Sequence, residues 1–326
     1  MKAEILHLLR KADGYVSGEE ICKKFSMSRQ AIWKYIHQLQ DAGYEIDGVK
    51  NRGYRILNAP DCITAEEIGS LLDDNCMYYG KLHYYEETDS TNTRAKILAE
   101  EGAPHGTVVI AEQQNGGKGR RGRKWEPPQQ TSIALSIVVR PEFLPEKASM
   151  LTLVAGMAVL KAVQKLTDLQ VGIKWPNDIV ASGKKICGIL TEMSAEMEAI
   201  NYVVVGIGVN VNNESFPDEI KDVATSLLLE GQKKVNRAKV AKELLTAFEA
   251  YYERFVQYGD MTALIDEYNS ELINAGKQVR ILGRESFAAT AQGIDKEGRL
   301  LVVDEDGKKK KIVSGEVSVR GVYGYV

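Results

Sequence analysis

Residues 116–125 of this 326-residue chain read Gly-Gly-Lys-Gly-Arg-Arg-Gly-Arg-Lys-Trp, a run that restricts what can be built around it. Lys118, Arg120, Arg121, Arg123 and Lys124 repel one another unless water or an anion separates them. Gly116, Gly117, Gly119 and Gly122 let the backbone curl its N–H groups toward that anion. Arginine forks suit phosphate or carboxylate oxygens. Such a loop is mobile when empty and ordered when filled. Its spacing is neither GxxxxGK[ST] nor GxGxxG before a helix, so it fits neither phosphate motif of the common nucleotide folds.

The length implies two or three domains, and 44% hydrophobic with 27% charged residues is a globular composition. Helices are predicted at 3–11, 18–25 and 29–42. Ser17 with Glu20 three residues on forms a capping-box pattern, and Ser28 caps the third helix, which ends at Gly43. Ala31, Ile32, Tyr35, Ile36 and Leu39 recur at helical spacing and should face inward, leaving Arg29, Gln30, Trp33, Lys34, His37 and Gln38 outward. A hairpin follows, with strands at 44–47 and 54–57 around Lys50, Asn51, Arg52 and Gly53. Residues 1–58 carry ten Lys or Arg against seven Asp or Glu, within a chain of net charge -3. This is the pattern of a winged helix-turn-helix. Gly18, Ser28, Arg29, Gln30, Trp33, Lys34, His37 and Arg52 are its candidate DNA contacts, with Trp33 free either to touch DNA or to pack on the hairpin. The competing reading is a small helical unit with a solvated polar face. Asn58-Ala59-Pro60 reads as a linker.

Beyond it, helices are predicted at 65–72, 93–101, 148–166 and 237–258, and strands at 108–112, 133–139, 171–174, 186–193 and 202–211. Strands often follow one another without a helix between, which favours an α+β sheet over a doubly wound one. Strands at 278–282, 287–294, 300–304, 309–313 and 317–319 suggest a small β barrel, with Lys308 to Lys311 solvated. The domains would be 1–60, 61–273 and 274–326. The four cysteines form no CxxC pair and the four histidines no i, i+4 pair, so reduced thiols, a cytoplasmic setting and no structural metal are expected. Residues 1–10 lack the character of a signal or anchor, and the apolar stretch 148–160 is short of the roughly 20 residues of a membrane span.

Several motifs carry a resemblance. Ala111-Glu112-Gln113-Gln114, continuing through Gly117 to Trp125, resembles the adenylate-forming loop of biotin protein ligases. Asp89-Ser90-Thr91-Asn92, Lys174-Trp175-Pro176-Asn177-Asp178 and Lys184-Lys185-Ile186-Cys187-Gly188-Ile189-Leu190 match the same family in order. Val205-Gly206-Ile207-Gly208-Val209-Asn210 and Gly315-Glu316-Val317-Ser318-Val319-Arg320 follow, so the similarity covers nearly the whole chain and points to repressor-type ligases. It implies a central domain like class II synthetases and an SH3-like C-terminal barrel.

The resemblance also implies roles. Biotin's carboxylate would attack the α-phosphorus of Mg-ATP, and a lysine of the biotin carboxyl carrier protein would then take the acyl group. Lys185 matches the essential lysine between carboxylate and α-phosphate; Lys118 and Arg120 join it as catalytic candidates. Ser90, Thr91, Asn92, Gln114, Gly117, Gly119 and Gly188 would complete the biotin site. Arg123, Trp125, Asn177, Asp178 and Asn210 would serve ATP and Mg2+, alongside Arg120. Lys118 stands where many relatives have arginine, which keeps the charge but loses the fork, and Asn115 where threonine is common. Biotinyl-AMP would also act as corepressor, favouring a homodimer on operator DNA. Two other readings stay open: a lipoate-type acyl ligase, and a DNA-binding metabolite sensor without ligase activity.

Overall fold

Both serine caps form. The structure is a computed structural model that describes residues 1–197, 199–282, 286–313, 318–321 and 325. Helices α1 (Lys2–Lys11), α2 (Gly18–Phe25) and α3 (Arg29–Asp41) open the chain. Ser17 Oγ accepts from the Glu20 amide at 3.1 Å and Ser28 Oγ from the Ala31 amide at 3.2 Å. Ile5, Leu6, Leu9, Ile21, Ile32, Ile36 and Leu39 close a core with Val16, Tyr44 and Ile46. Ala31 and Tyr35 lie at the half-buried margin of that stripe. Strands β1 (Glu45–Val49) and β2 (Gly53–Asn58) outrun the predicted hairpin because pairing continues to Val49 opposite Gly53.

The next helix, α4 (Ala65–Leu71), is gripped by α1 and by Tyr44 just past α3. Arg10 donates to both oxygens of buried Glu67, at 2.7 and 2.8 Å, and the Tyr44 hydroxyl donates to the same carboxylate at 2.7 Å. Burial, then the Glu67 charge, push the Tyr44 hydroxyl far above its ordinary range, so it remains a donor. Glu67→Ala leaves two inward-facing donors without their acceptor and is expected to cost about 3 kcal/mol. Denaturant unfolding checks this; an unchanged midpoint would contradict it.

The central elements are β3 (Leu82–Thr88), α5 (Thr91–Glu100), β4 (Thr107–Gln114), β5 (Ser132–Val139), α6 (Leu151–Leu166), β6 (Val171–Lys174), β7 (Asp178–Ala181), β8 (Lys184–Ala195), β9 (Ile200–Asn210), α7 (Leu227–Gly231), α8 (Arg237–Tyr258) and α9 (Ile265–Ser270). Seven strands join in the order β3-β4-β5-β9-β8-β7-β6, and all pairs but β3–β4 are antiparallel, as an α+β sheet requires. Sequence reasoning missed β3 and β7. The first has no clean apolar alternation, and the second follows directly on a Pro-Asn turn. Helix α5 starts two residues early because Ser90 is already extended, and a 3-10 turn at Pro145–Met150 precedes α6. Pro145–Leu166 is, among the described residues, long and apolar enough to cross a membrane, but most of it is buried in the core. Its helix α6 and α8 pack on one face of the sheet; α5 covers part of the other.

The C-terminal strands are β10 (Gln278–Leu282), β11 (Phe287–Ile294), β12 (Leu300–Asp304), β13 (Lys309–Ile312) and β14 (Ser318–Gly321). The expected barrel takes the form of a five-stranded antiparallel sheet in the order β13-β12-β11-β10-β14. Lys308 to Lys311 are exposed, as predicted. Gly315, Glu316 and Val317 lie outside the described residues.

Candidate active site

Strand alternation sorts β9 into two faces. Val203, Val205, Ile207 and Val209 enter the core under α6 and α8, which turns Gly206 and Gly208 to the opposite side. A Cβ on Gly206 would lie 2.0 Å from Asn92 Oδ1, and one on Gly208 would lie 2.8 Å from the Trp125 ring. The two bare glycines thus make room for one amide and one indole on the sheet.

The amide belongs to a buried polar network at the start of α5 and the end of β4. Asn92 Nδ2 donates to Leu190 O at 3.2 Å and to Glu192 Oε2 at 2.8 Å. The Ser136 hydroxyl lies 2.6 Å from Asn92 Oδ1 and 2.8 Å from Thr91 Oγ1. Gln114 Oε1 accepts from the Thr91 amide at 2.7 Å and its hydroxyl at 3.0 Å. Ser90, Thr91, Asn92 and Gln114 are therefore brought together and buried. Lys96 at 2.9 Å and Asn92 offset the effect of burial on Glu192 and hold its carboxyl below the usual range.

The cationic loop folds back on itself. The Trp125 amide donates to Gly117 O at 2.9 Å and the Gly119 amide to Arg123 O at 2.7 Å, while Arg120–Gly122 form a 3-10 turn at the tip. Gly117 is buried without room for a side chain, since a Cβ would meet Trp125 O at 2.1 Å. Lys118, Arg123 and Lys124 are exposed. Arg120 Nη1 donates to Asn177 Oδ1 at 2.8 Å.

The next residue holds the other key cation. Lys185 Nζ stands 2.6 Å from Asp178 Oδ1, and a Cβ on Gly188 would intrude to 2.7 Å from that ammonium. Burial pushes the Asp178 carboxyl up, but Lys185, the Tyr325 hydroxyl and Lys174 together hold it below the ordinary range. Tyr325 donates to Asp178, and Lys174 Nζ lies 3.4 Å from the Tyr325 ring centroid. Asn210 instead donates to Thr225 O at 3.0 Å, and the Thr225 amide donates to Lys185 O at 2.9 Å. Asn210 thus braces the backbone flanking Lys185.

Sequence reasoning missed the roles of Ser136, Glu192, Lys174 and Tyr325. For Glu192 a signal existed: it lies two residues beyond Leu190 on a strand, hence on the same face.

On the DNA-binding segment, Arg29, Gln30, Trp33, Lys34 and His37 line the exposed side of α3. The Trp33 and His37 rings, one turn apart on α3, meet edge to face with centroids separated by 3.9 Å, and Trp33 is exposed. Arg52, at the wing turn, lies 4.3 Å over the Tyr15 ring. Gly18 opens α2, and the Ser28 hydroxyl is engaged as a cap.

A winged-helix segment is joined to a mixed sheet that presents buried amides beside paired cations, a site suited to an anionic ligand on a protein with a DNA-binding type of head. The Biotin/lipoate A/B protein ligase family matches residues 84–210, an HTH domain residues 2–55, and the Biotin protein ligase C terminal domain residues 275–320. The Bifunctional ligase/repressor BirA of Bacillus spizizenii is 36% identical over 98% of both chains, and that of Escherichia coli 32% identical over 93% of this chain and 92% of its own. The Aquifex aeolicus biotin protein ligase, solved with biotin and ATP, is 31% identical with a TM-score of 0.66, covering 74% of this chain and all of that one. The chain belongs to the biotin protein ligase family, among its bifunctional ligase/repressors.

Proposed function

We propose that this protein activates biotin with ATP to biotinyl-5'-AMP, transfers biotin to a lysine of the biotin carboxyl carrier protein of acetyl-CoA carboxylase, and represses biotin synthesis genes. One observation carries the chemical half. Adjacent residues Asn177 and Asp178 hold Arg120 and Lys185, so cations from a loop and a strand converge beside a buried amide pocket. Two anions must meet there, a carboxylate and the α-phosphate, and fixed positive charge lowers the cost of that encounter.

In this reading the amides of Asn92 and Gln114, with Ser90 and Thr91, face the ureido end of biotin. Lys118, Gly119 and Arg120 close over the carboxyl and adenylate, and Arg123 and Trp125 flank the nucleotide. Lys185 sits between the reacting anions. The carboxylate oxygen bonds to the α-phosphorus as pyrophosphate leaves; the carrier amine then bonds to the acyl carbon as AMP leaves. Magnesium would arrive on ATP. No cluster of three or more candidate metal ligands occurs among the described residues, and Mg2+ commonly relies on phosphate oxygens and few carboxylates, here Asp178.

The repressor half rests on α3. The adenylate, by ordering the loop, would favour a cytoplasmic homodimer that sets two winged segments on two operator half-sites. Lys34→Ala should weaken operator binding alike across sequences and reduce the slope of log affinity against log salt by about 1, checked by titrations at several salt concentrations. An unchanged slope would remove Lys34 from the phosphate contacts. The ligase reading is tested by incubating the protein with biotin and α-labelled ATP: labelled biotinyl-AMP with pyrophosphate release supports it, and no adenylate overturns it.

A further inference from the structure

Arg237, at the start of α8, is fully buried yet carries a guanidinium that the chemistry above does not use. Its fork reaches two carboxylates from different parts of the chain. Nη1 and Nη2 donate to Glu112, the latter at 3.4 Å. Nε donates to Asp61 Oδ2 at 3.3 Å and Nη2 to Asp61 O at 2.8 Å, while the Arg237 amide donates to Asp61 Oδ1 at 2.8 Å.

Each partner has a second attachment. Glu112 stands two residues before Gln114, the near foot of the cationic loop, and its Oε1 accepts from the amide of Gln130, at the far foot, at 3.0 Å. Arg237 Nη1 also donates to Ser132 O, just past that foot, at 3.2 Å. Asp61 lies directly after the linker Asn58-Ala59-Pro60 and six residues before Glu67, which α1 grips. Asn212 completes the ring: its Nδ2 donates to Asp61 Oδ2 at 3.1 Å and its amide to Thr131 O at 2.6 Å.

We propose that Arg237 is a positioning residue that fastens both feet of the nucleotide loop and, through Asp61, ties them to the segment carrying the DNA-binding head. A side chain shared between loop and linker is a physical route by which ordering one restrains the other. Asp61 is the member that can be altered safely, because its side chain is 39% exposed while Arg237 and Glu112 keep their own pair. The bearing of this coupling on repression rests on the function proposed above; the coupling itself does not.

The test is limited tryptic digestion of the full, ligand-free chain, mapped by mass spectrometry, for the parent, Asp61→Asn and Asp61→Ala. The loop contains five trypsin sites between residues 118 and 124, and Lys308 to Lys311 supply a distant reference. Without the Asp61 carboxylate, Asn212 and the Arg237 Nε and amide lose the acceptor that fixes them against Thr131 and Ser132. The far foot then loosens, and loop cleavage relative to the reference should rise about fivefold in Asp61→Ala and less in Asp61→Asn. The KM for ATP should rise while kcat for adenylate formation stays near that of the parent. Unchanged loop cleavage overturns the proposal, and so does an equal rise at every site, which marks general unfolding. Digestion uses neither biotin nor ATP, so a parent that makes no adenylate would count against the functional reading alone.

Discussion

Lys185→Ala is expected to slow biotinyl-adenylate formation by about 10²–10³-fold, the scale of losing one fixed electrostatic contact at a reacting centre. The ammonium is held 2.6 Å from Asp178, and Gly188 leaves it just enough space. Arginine is no substitute, since its planar fork needs volume that the strand does not offer. The pH dependence should change as well. In the parent the Asp178 carboxyl is held low, so the pair's contribution is complete above the ordinary carboxylate range, about pH 4, and is lost only as pH falls through the lower folded value. No acid limb from this group is expected near neutrality. Without Lys185 the main force opposing burial is gone, the carboxyl moves upward, and its acid limb should move toward neutral pH. Pyrophosphate release followed from pH 5 to 8 checks both points; a mutant with parental rate and profile would refute them.

Gly206→Ala should raise the KM for biotin about 100-fold with a smaller change in kcat. The new methyl would sit 2.0 Å from Asn92 Oδ1, so the Asn92 side chain must leave the positions that Ser136, Leu190 and Glu192 define for it. In the proposed reading the Asn92 amide faces the ureido group, so displacing it removes about two hydrogen bonds to biotin, each worth about 1–1.5 kcal/mol, which accounts for that factor. Calorimetric titration with biotin measures it, with thermal unfolding as control. Parental affinity in a folded mutant would show that Asn92 does not contact the ligand.

Elements with a local cause were legible in the sequence. Ser17 and Ser28 announce two helix starts because each cap lies within three residues of the amide it serves. The span of α8 was predicted to the residue from its apolar periodicity. The candidate site residues come from resemblance, and the fold gathers Thr91, Asn92 and Gln114 into one buried network and pairs Arg120 with Asn177 and Lys185 with Asp178. What stayed hidden depends on contacts far along the chain. Arg237 reads as an ordinary first residue of a helix; only the fold puts it between Asp61 and Glu112. Tyr325 meets Asp178 across 147 positions, a pairing no local pattern encodes. Asn210 is expected to serve ATP or Mg2+ from its motif, and its Nδ2 also donates to Thr225 O, a partner that depends on how the segment after β9 returns.

The most direct test of the account is a transfer experiment with labelled biotin, ATP and Mg2+, with and without an apo biotin carboxyl carrier domain. Adenylate should accumulate without carrier, and with it the label should pass to a carrier lysine, both steps collapsing in Lys185→Ala. A parent protein that neither forms adenylate nor labels the carrier would contradict the central claim, leaving a DNA-binding sensor whose cationic loop serves another anion.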